Sequence, residues 1–126
     1  TKAGVFTTWS IKDKNLEGWF PEPYFWRAPT ENDFGNNMPA KCGVWRTAHV
    51  NKKIDAVTVG EQQAQGLPIQ VKYTLTDIGV PYQVDYLIQN DGSIKTTAAI
   101  DLRGKLLPEL PRFGMRMVLN AGFEKV

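Results

Sequence analysis

Apolar and polar residues alternate along much of this chain, which is the pattern of β-strands with one buried face. The alternation is clearest in residues 5–11 and 82–88. Residues 54–59 and 69–75 are short apolar stretches rich in β-branched side chains. Each of these four segments is therefore predicted to be a strand.

Turn residues separate the predicted strands in the second half of the chain. Asn90-Asp91-Gly92-Ser93 follows the strand at 82–88 and precedes an apolar segment at 94–102. This arrangement predicts a β-hairpin. The proline-rich segment 106–111 is predicted to cross over to a last strand at 113–119.

The first part of the chain is interrupted more often. Asp13-Lys14-Asn15 predicts a turn that leads into a short strand at 16–19. Pro21 and Pro23 are predicted to end that strand before another begins at 24–27.

Only residues 40–49 have a sequence compatible with a helix, and this segment is short. Many short strands with turns between them predict an all-β fold, namely an antiparallel β-sandwich with one short helix. The length of 126 residues fits a single domain.

Composition removes several classes of function. The net charge of +2 and the scattered lysines lack the basic surface of a nucleic-acid-binding protein. The longest apolar stretches are too short to span a bilayer. Cys42 is the only cysteine and cannot form an internal disulfide. It is interpreted as a small packing residue, because the single histidine, His49, offers no evident catalytic partnership.

Residues 24–35 begin with three adjacent aromatic residues and continue as a polar segment. Pro29 disfavours a helical conformation at Ala28, and Asn32 and Asp33 favour turns. Gly35 tolerates a positive φ. The sequence therefore predicts a buried aromatic strand that leads into an irregular polar loop, a common arrangement for functional residues.

Carboxylates in this loop raise two chemical hypotheses. Glu31 and Asp33 could act as the paired carboxyl groups of a glycosidase, but turn capping is the favoured role for Asp33. Arg27 is expected to pair with Asp33 or Glu31, because an unpaired buried guanidinium is costly. Metal binding by residues 31–33, or by Asp13, Asn15 and Glu17, is not predicted, since the ligand spacing of a calcium loop is incomplete.

The four tryptophans are candidates for the core or for a surface that stacks on sugar rings. Trp9 and Trp26 lie in predicted strands, and core packing is favoured for both. For Trp19 and Trp45 the two interpretations remain open.

Two segments resemble a known family. Trp26-Arg27-Ala28-Pro29-Thr30-Glu31-Asn32-Asp33-Phe34-Gly35, followed by Trp45-Arg46, is similar to the start of the C-terminal domain of β-galactosidases of glycoside hydrolase family 2. Residues 110–117 resemble a later strand of that domain. The resemblance implies that residues 1–126 are the N-terminal half of the small-chain β-sandwich, which is part of a galactose-mutarotase-like super-sandwich. The sequence stops as a new apolar segment begins, so an incomplete domain is expected.

The resemblance also implies roles for individual residues. The family's catalytic glutamates lie in a separate TIM barrel, so no catalytic residue is expected in this chain. A loop beside the active site is expected to contain Gly35 as its hinge, with Trp26 and Arg27 as the structural anchor behind it. The residues expected in this substrate-proximal loop are Asn32, Asp33, Gly35, Asn36, Asn37 and Met38.

The function implied by the resemblance is hydrolysis of terminal non-reducing β-D-galactose residues from β-galactosides by a retaining parent enzyme. The expected partners are the rest of the parent polypeptide with its TIM barrel and the galactoside substrate. A homo-oligomeric parent and a divalent metal in the parent are left open, and no metal or other cofactor is expected in this chain. Localisation is open between the bacterial cytoplasm and periplasm.

A second hypothesis is a stand-alone carbohydrate-binding β-sandwich module. The isolated chain is expected to be inactive under either hypothesis. Half a sandwich is also expected to associate through unpaired strand edges.

Overall fold

The structure is a computed structural model that describes residues 10–11, 14–15 and 19–118. These residues form short strands and three short helices. In chain order they are β1 Ser10–Ile11, β2 Lys14–Asn15, β3 Trp19–Tyr24, α1 Glu31–Gly35, α2 Met38–Lys41, α3 Val44–Thr47, β4 Lys52–Val59, β5 Leu67–Leu75, β6 Val80–Ile88, β7 Ile94–Ile100 and β8 Gly114–Val118. The predicted antiparallel all-β fold is confirmed, although the single predicted helix is replaced by three.

A four-stranded antiparallel sheet with the order β4-β5-β6-β7 forms the larger part of the described structure. Alternate residues of β5 and β6 are buried on one face, as the period of two predicts. Directly opposed pairs on this face are Val71 with Val84, Tyr73 with Tyr82, and Leu75 with Val80. The predicted strands at 54–59, 69–75 and 82–88 are confirmed.

The hairpin between β6 and β7 is also confirmed. Asp91 Oδ1 accepts a hydrogen bond from the Ser93 backbone N–H at 2.8 Å, and the Gln89 N–H donates to the Ser93 carbonyl oxygen at 2.9 Å. Gly92 has a φ of 87°, which glycine adopts without steric cost. The returning strand ends at Ile100, two residues earlier than predicted.

The prediction that Pro21 and Pro23 end a strand is wrong, because β3 runs through both of them. Within the described chain β3 pairs only with β8, and its register shifts between Trp19 and Glu22. Proline is tolerated in such a strand. At an unpaired edge or in a bulge, the backbone N–H that proline lacks is not needed for a hydrogen bond to a neighbouring strand. The strand predicted at 24–27 is consequently wrong beyond Tyr24, whereas the one predicted at 113–119 is found as β8.

Two N-terminal predictions fall largely outside the described residues, namely the strands at 5–11 and 16–19. The turn predicted at 13–15 is only partly described. Ser10 pairs with Asn15 and Ile11 with Lys14 in the short β1–β2 ladder, so Lys14 and Asn15 are strand residues.

The core packs an aromatic cluster against one end of the larger sheet. Phe25 and Trp45 are fully buried, with ring centroids 5.6 Å apart, and Phe25 lies 5.8 Å from Tyr82. Cys42 is buried in the same core, in agreement with its predicted packing role. At the other end of the sheet, residues 56–59 of β4 are exposed on both faces. None of the described helices is long and apolar enough to cross a membrane.

His49 is buried at the junction between α3 and the β3–β8 ribbon. Its ring makes an edge contact with Tyr24 at 5.3 Å between centroids. Burial lowers the pKa of His49 below its ordinary value of 6.5, and Arg116 and Lys52 lower it further while Glu22 raises it. His49 is therefore held neutral in the folded state, with its Nδ1 atom unpaired.

Acid is expected to destabilise the fold through His49. Because its folded pKa lies below the unfolded value of 6.5, the unfolded state binds the proton more readily. Stability should be retained above pH 6.5 and lost as the pH falls from that value towards the lowered folded pKa. Urea denaturation across this range, compared with His49→Gln, provides the measurement. A variant with the same pH profile as the parent would contradict this assignment.

Candidate functional site

Residues 30–35 form a capped helical corner, so the prediction of an irregular loop is wrong at this point. The Thr30 hydroxyl accepts from the Asp33 N–H at 3.4 Å, and Asp33 Oδ2 accepts from the Thr30 N–H at 2.8 Å. These reciprocal bonds constitute a capping box that starts α1. Glu31 and Asp33 also place negative charge in the first turn, where the helix dipole favours it.

Arg27 fixes this corner to the rest of the fold. Its two terminal nitrogens donate to the two carboxylate oxygens of Asp33, at 2.5 and 2.8 Å. Its Nε atom donates to the carbonyl oxygen of Pro111 at 3.2 Å, in the segment before β8. The predicted pairing of Arg27 is confirmed, with Asp33 as the partner.

The same contacts define the chemistry of Asp33. Hydrogen bonds from Arg27, and then from the Thr30 backbone, hold the pKa of Asp33 well below its usual value. Both carboxylate oxygens are already engaged by these donors. Asp33 therefore stabilises the corner in its ionised form, and it is poorly suited to donate a proton.

The exposed side of the corner is polar with one aromatic ring. Glu31, Asn32, Asn36 and Asn37 are exposed. Phe34 is 64% exposed between them. Amide side chains both donate and accept hydrogen bonds, so this surface suits a ligand with many hydroxyl groups.

Gly35 is the last residue of α1 and does not adopt a positive φ. A Cβ atom at this position would meet nothing within 4 Å. The left-handed residue of this segment is Asn37, with a φ of 58°, immediately before α2. The backbone freedom predicted at Gly35 lies instead at Asn37, since asparagine is among the residues that tolerate this conformation.

Met38 anchors the segment after the corner. It is buried in the core, so its side chain holds the predicted substrate-proximal loop against the rest of the fold. An open groove of about 680 Å³ lies beside it. Of the predicted loop residues, only Asn36 and Met38 line this groove. The other lining residues are Lys41, Cys42, Pro108 and Glu109.

Two of the four tryptophans are established as core residues. Trp26 is 6% exposed, and the Arg46 guanidinium lies over its ring at 5.4 Å. Trp45 is fully buried, and its Nε1 atom donates to the Pro108 carbonyl oxygen at 3.0 Å. A sugar-stacking role for Trp45 is therefore wrong. Trp9 and the side chain of Trp19 lie outside the described part of the chain.

Among the residues that the structure describes, no three His, Cys, Asp or Glu side chains are close enough together to hold a metal ion. Asp13 and Glu17 lie outside those residues. Asp33 is best explained by the capping and ion-pair contacts given above, and Glu31 by its place in the first turn of α1.

Comparisons with known proteins agree with the resemblance carried by residues 26–35. The whole chain, residues 1–126, matches the family described as the beta galactosidase small chain. A β-galactosidase of Priestia megaterium is 30% identical over 99% of this chain. A β-galactosidase small subunit of Latilactobacillus sakei is 34% identical over 79% of it. A β-galactosidase of Halalkalibacterium halodurans is 30% identical over 84%.

The matched region is a part of each of these relatives. It covers 12% of the Priestia protein, 37% of the Latilactobacillus small subunit and 11% of the Halalkalibacterium protein. The family match over the whole given sequence, the motif at residues 26–35 and the antiparallel β fold agree on one assignment. The chain belongs to the β-galactosidase small-chain family.

Proposed function

We propose that this chain is part of a retaining β-galactosidase that hydrolyses terminal non-reducing β-D-galactose residues. In this proposal its capped corner borders the active site and contributes positioning groups, while the catalytic carboxylates are supplied by a TIM-barrel domain elsewhere in the enzyme. The observation that carries the proposal is the bidentate Arg27–Asp33 pair, which fixes a polar surface within the segment that carries the family resemblance.

The chemistry of Asp33 supports a positioning role. Retaining glycosidases use one carboxyl group as acid and base and a second as nucleophile, about 5 to 5.5 Å apart. Asp33 is committed to Arg27 and Thr30, and its lowered pKa keeps it ionised. The exposed amides of Asn32 and Asn36 can orient hydroxyl groups of a sugar.

A stand-alone carbohydrate-binding module is less well supported. Such a module would present aromatic rings on one face, yet Trp26 and Trp45 are buried. Phe34 is the exposed ring at the corner, and a single phenylalanine provides a small platform. The polar corner therefore fits better as one wall of a larger site.

Hydrolysis assays test the proposal. The full-length product of the gene that encodes this chain is expected to release nitrophenol from o-nitrophenyl β-D-galactoside. The isolated chain is expected to release none. NMR detection of the first-formed anomer should show retention. Full-length protein without activity would contradict the proposal, and galactoside binding by the isolated chain alone would favour the module.

A substitution at Gly35 tests, in the same assay, whether this residue is the expected hinge of the loop. Gly35→Ala fits sterically and should raise the free energy of unfolding by about 0.4–1 kcal/mol. If the segment moves about Gly35 during turnover, kcat and KM should change together, with kcat lower by about tenfold. Thr97→Ala, an exposed change on β7, is the control and should leave both constants unchanged. An inert Gly35→Ala would contradict the expectation that Gly35 is the hinge of this segment.

A further inference from the structure

The β3–β8 ribbon contacts the segment between α3 and β4 through charged and aromatic side chains. Arg116 Nε of β8 donates to Glu22 Oε1 of β3 at 2.6 Å. The other carboxylate oxygen of Glu22 lies 3.6 Å from Nζ of Lys52, the first residue of β4. Tyr24, also of β3, packs its ring edge-on against His49. We call these five residues, Glu22, Tyr24, His49, Lys52 and Arg116, the ribbon junction.

The ribbon junction contains two cations and one carboxylate. The side chains of Glu22 and Lys52 are only 15% and 13% exposed, so salt screens their charges poorly. Arg116 also lies over the Tyr24 ring, 4.9 Å from its centroid, on which His49 packs as well. The junction therefore has an excess of one positive charge while His49 is neutral, and protonation of His49 would add a second.

His49 has little to stabilise a bound proton at this position. The residue is 6% exposed, and its Nδ1 atom has no hydrogen-bond partner among the described residues. Its carbonyl oxygen accepts from Lys52 Nζ at 3.3 Å, which holds that ammonium close to the histidine. Because a protonated imidazole donates from both nitrogens, the charged ring would need a new acceptor or contact with water. Separation of the ribbon from this segment would provide that contact.

The groups that face His49 come mainly from the ribbon. Glu22 and Tyr24 belong to β3, Arg116 belongs to β8, and Lys52 is the first residue of β4. Arg46, the charged residue of α3, lies over the Trp26 ring instead. Charge repulsion at His49 therefore acts between the ribbon and the α3–β4 segment.

We propose that the ribbon junction is an acid-sensitive switch, in which protonation of His49 opens the contact between the β3–β8 ribbon and the α3–β4 segment while the four-stranded sheet stays folded. The opening also loosens the support of the corner at residues 30–35. Arg27 bonds the carbonyl oxygen of Pro111, which lies three residues before β8.

Hydrogen–deuterium exchange of the full-length product of the gene, measured on peptides by mass spectrometry, tests the switch. Above pH 6.5 the opening of β3 and β8 should be constant, once exchange is corrected for its intrinsic pH dependence. Below pH 6.5 it should increase by up to about tenfold per pH unit, because burial lowers the pKa of His49 and the open state binds the proton more readily. Peptides of β5 and β6 are the internal reference. Equal loss of protection in these peptides would indicate global unfolding and overturn the proposal.

His49→Gln identifies the group that responds to acid. The amide stays neutral at every pH, so the ribbon of this variant should not open further below pH 6.5. Unchanged acid opening in His49→Gln would assign the response to another group, such as the Glu22 carboxylate, and overturn the proposal. A wild-type ribbon that stays fully protected from pH 6.5 to about pH 5 would overturn it without any variant.

Two neighbouring lysines provide a matched pair of variants. Lys52→Gln removes one cation that lowers the pKa of His49, so the acid-dependent opening should reach its plateau at a higher pH. Lys53→Gln removes an exposed cation that pairs with Asp55, and its plateau should match the wild type. Equal plateaus in the two variants would contradict the charge repulsion at the junction and overturn the switch.

Discussion

Replacing Trp45 with alanine is expected to lower the free energy of unfolding by about 3–5 kcal/mol. The ring is fully buried and packs edge-on against Phe25. Its Nε1–H also satisfies the carbonyl oxygen of Pro108 at 3.0 Å, which ties α3 to the crossover segment. Alanine would both leave a large cavity and remove the hydrogen bond to Pro108.

Two comparisons separate the parts of the Trp45 effect. Trp45→Phe keeps an aromatic ring in the core but leaves the Pro108 oxygen without its donor, so its cost should be clearly smaller. Thr47→Ala, an exposed neighbour in the same helix, should change stability little. Urea denaturation at one fixed protein concentration gives all three values. A loss below about 1 kcal/mol for Trp45→Ala would contradict its place in the core.

Gly66→Ala is expected to be the second most destabilising of these changes, by about 2–4 kcal/mol. Gly66 has a φ of 140°, which L-residues rarely adopt. An added Cβ atom would lie 2.2 Å from the Ile88 carbonyl oxygen, so the backbone of β6 would have to move. The connection between β4 and β5 therefore requires glycine for two separate reasons.

Gly104 offers a matched control for the Gly66 prediction. Its φ of 69° is also positive, but an added Cβ atom there would meet nothing within 4 Å. Gly104→Ala should therefore cost only the conformational strain, about 1–2 kcal/mol. Equal losses in the two variants, measured by urea denaturation, would show that the contact with Ile88 is relieved at little cost.

Strands β5 and β6 of the larger sheet could be predicted because one face of each is buried. Burial on one face imposes the period of two that is visible in residues 82–88. The turn at Asn90–Ser93 carries its own local signal. The pairing of Arg27 with Asp33 or Glu31 also followed from the sequence, since a guanidinium beside buried rings needs a nearby carboxylate; the structure selects Asp33.

The errors arose where tertiary context decides the outcome. Proline ends a strand only if the missing N–H is needed, and the sequence does not reveal that β3 lies at an edge. Thr30 and Asp33 have the spacing of a capping box, but Pro29 and Asn32 beside them are also typical of a turn, so the sequence alone does not decide between the two. Trp45 could not be assigned because its burial depends on Phe25 and Pro108, which are distant in sequence.

The β3–β8 ribbon has a consequence for the order in which the protein folds. Arg116 and Glu22, which bond across the ribbon, are 94 residues apart in sequence. The strands of the larger sheet are instead sequential neighbours. Because long loops lose more entropy on closing, we expect the four-stranded sheet of β4 to β7 to form early and the β3–β8 ribbon late. Arg27 reaches Pro111 across 84 residues, so the capped corner at residues 30–35 acquires its last support in that final step.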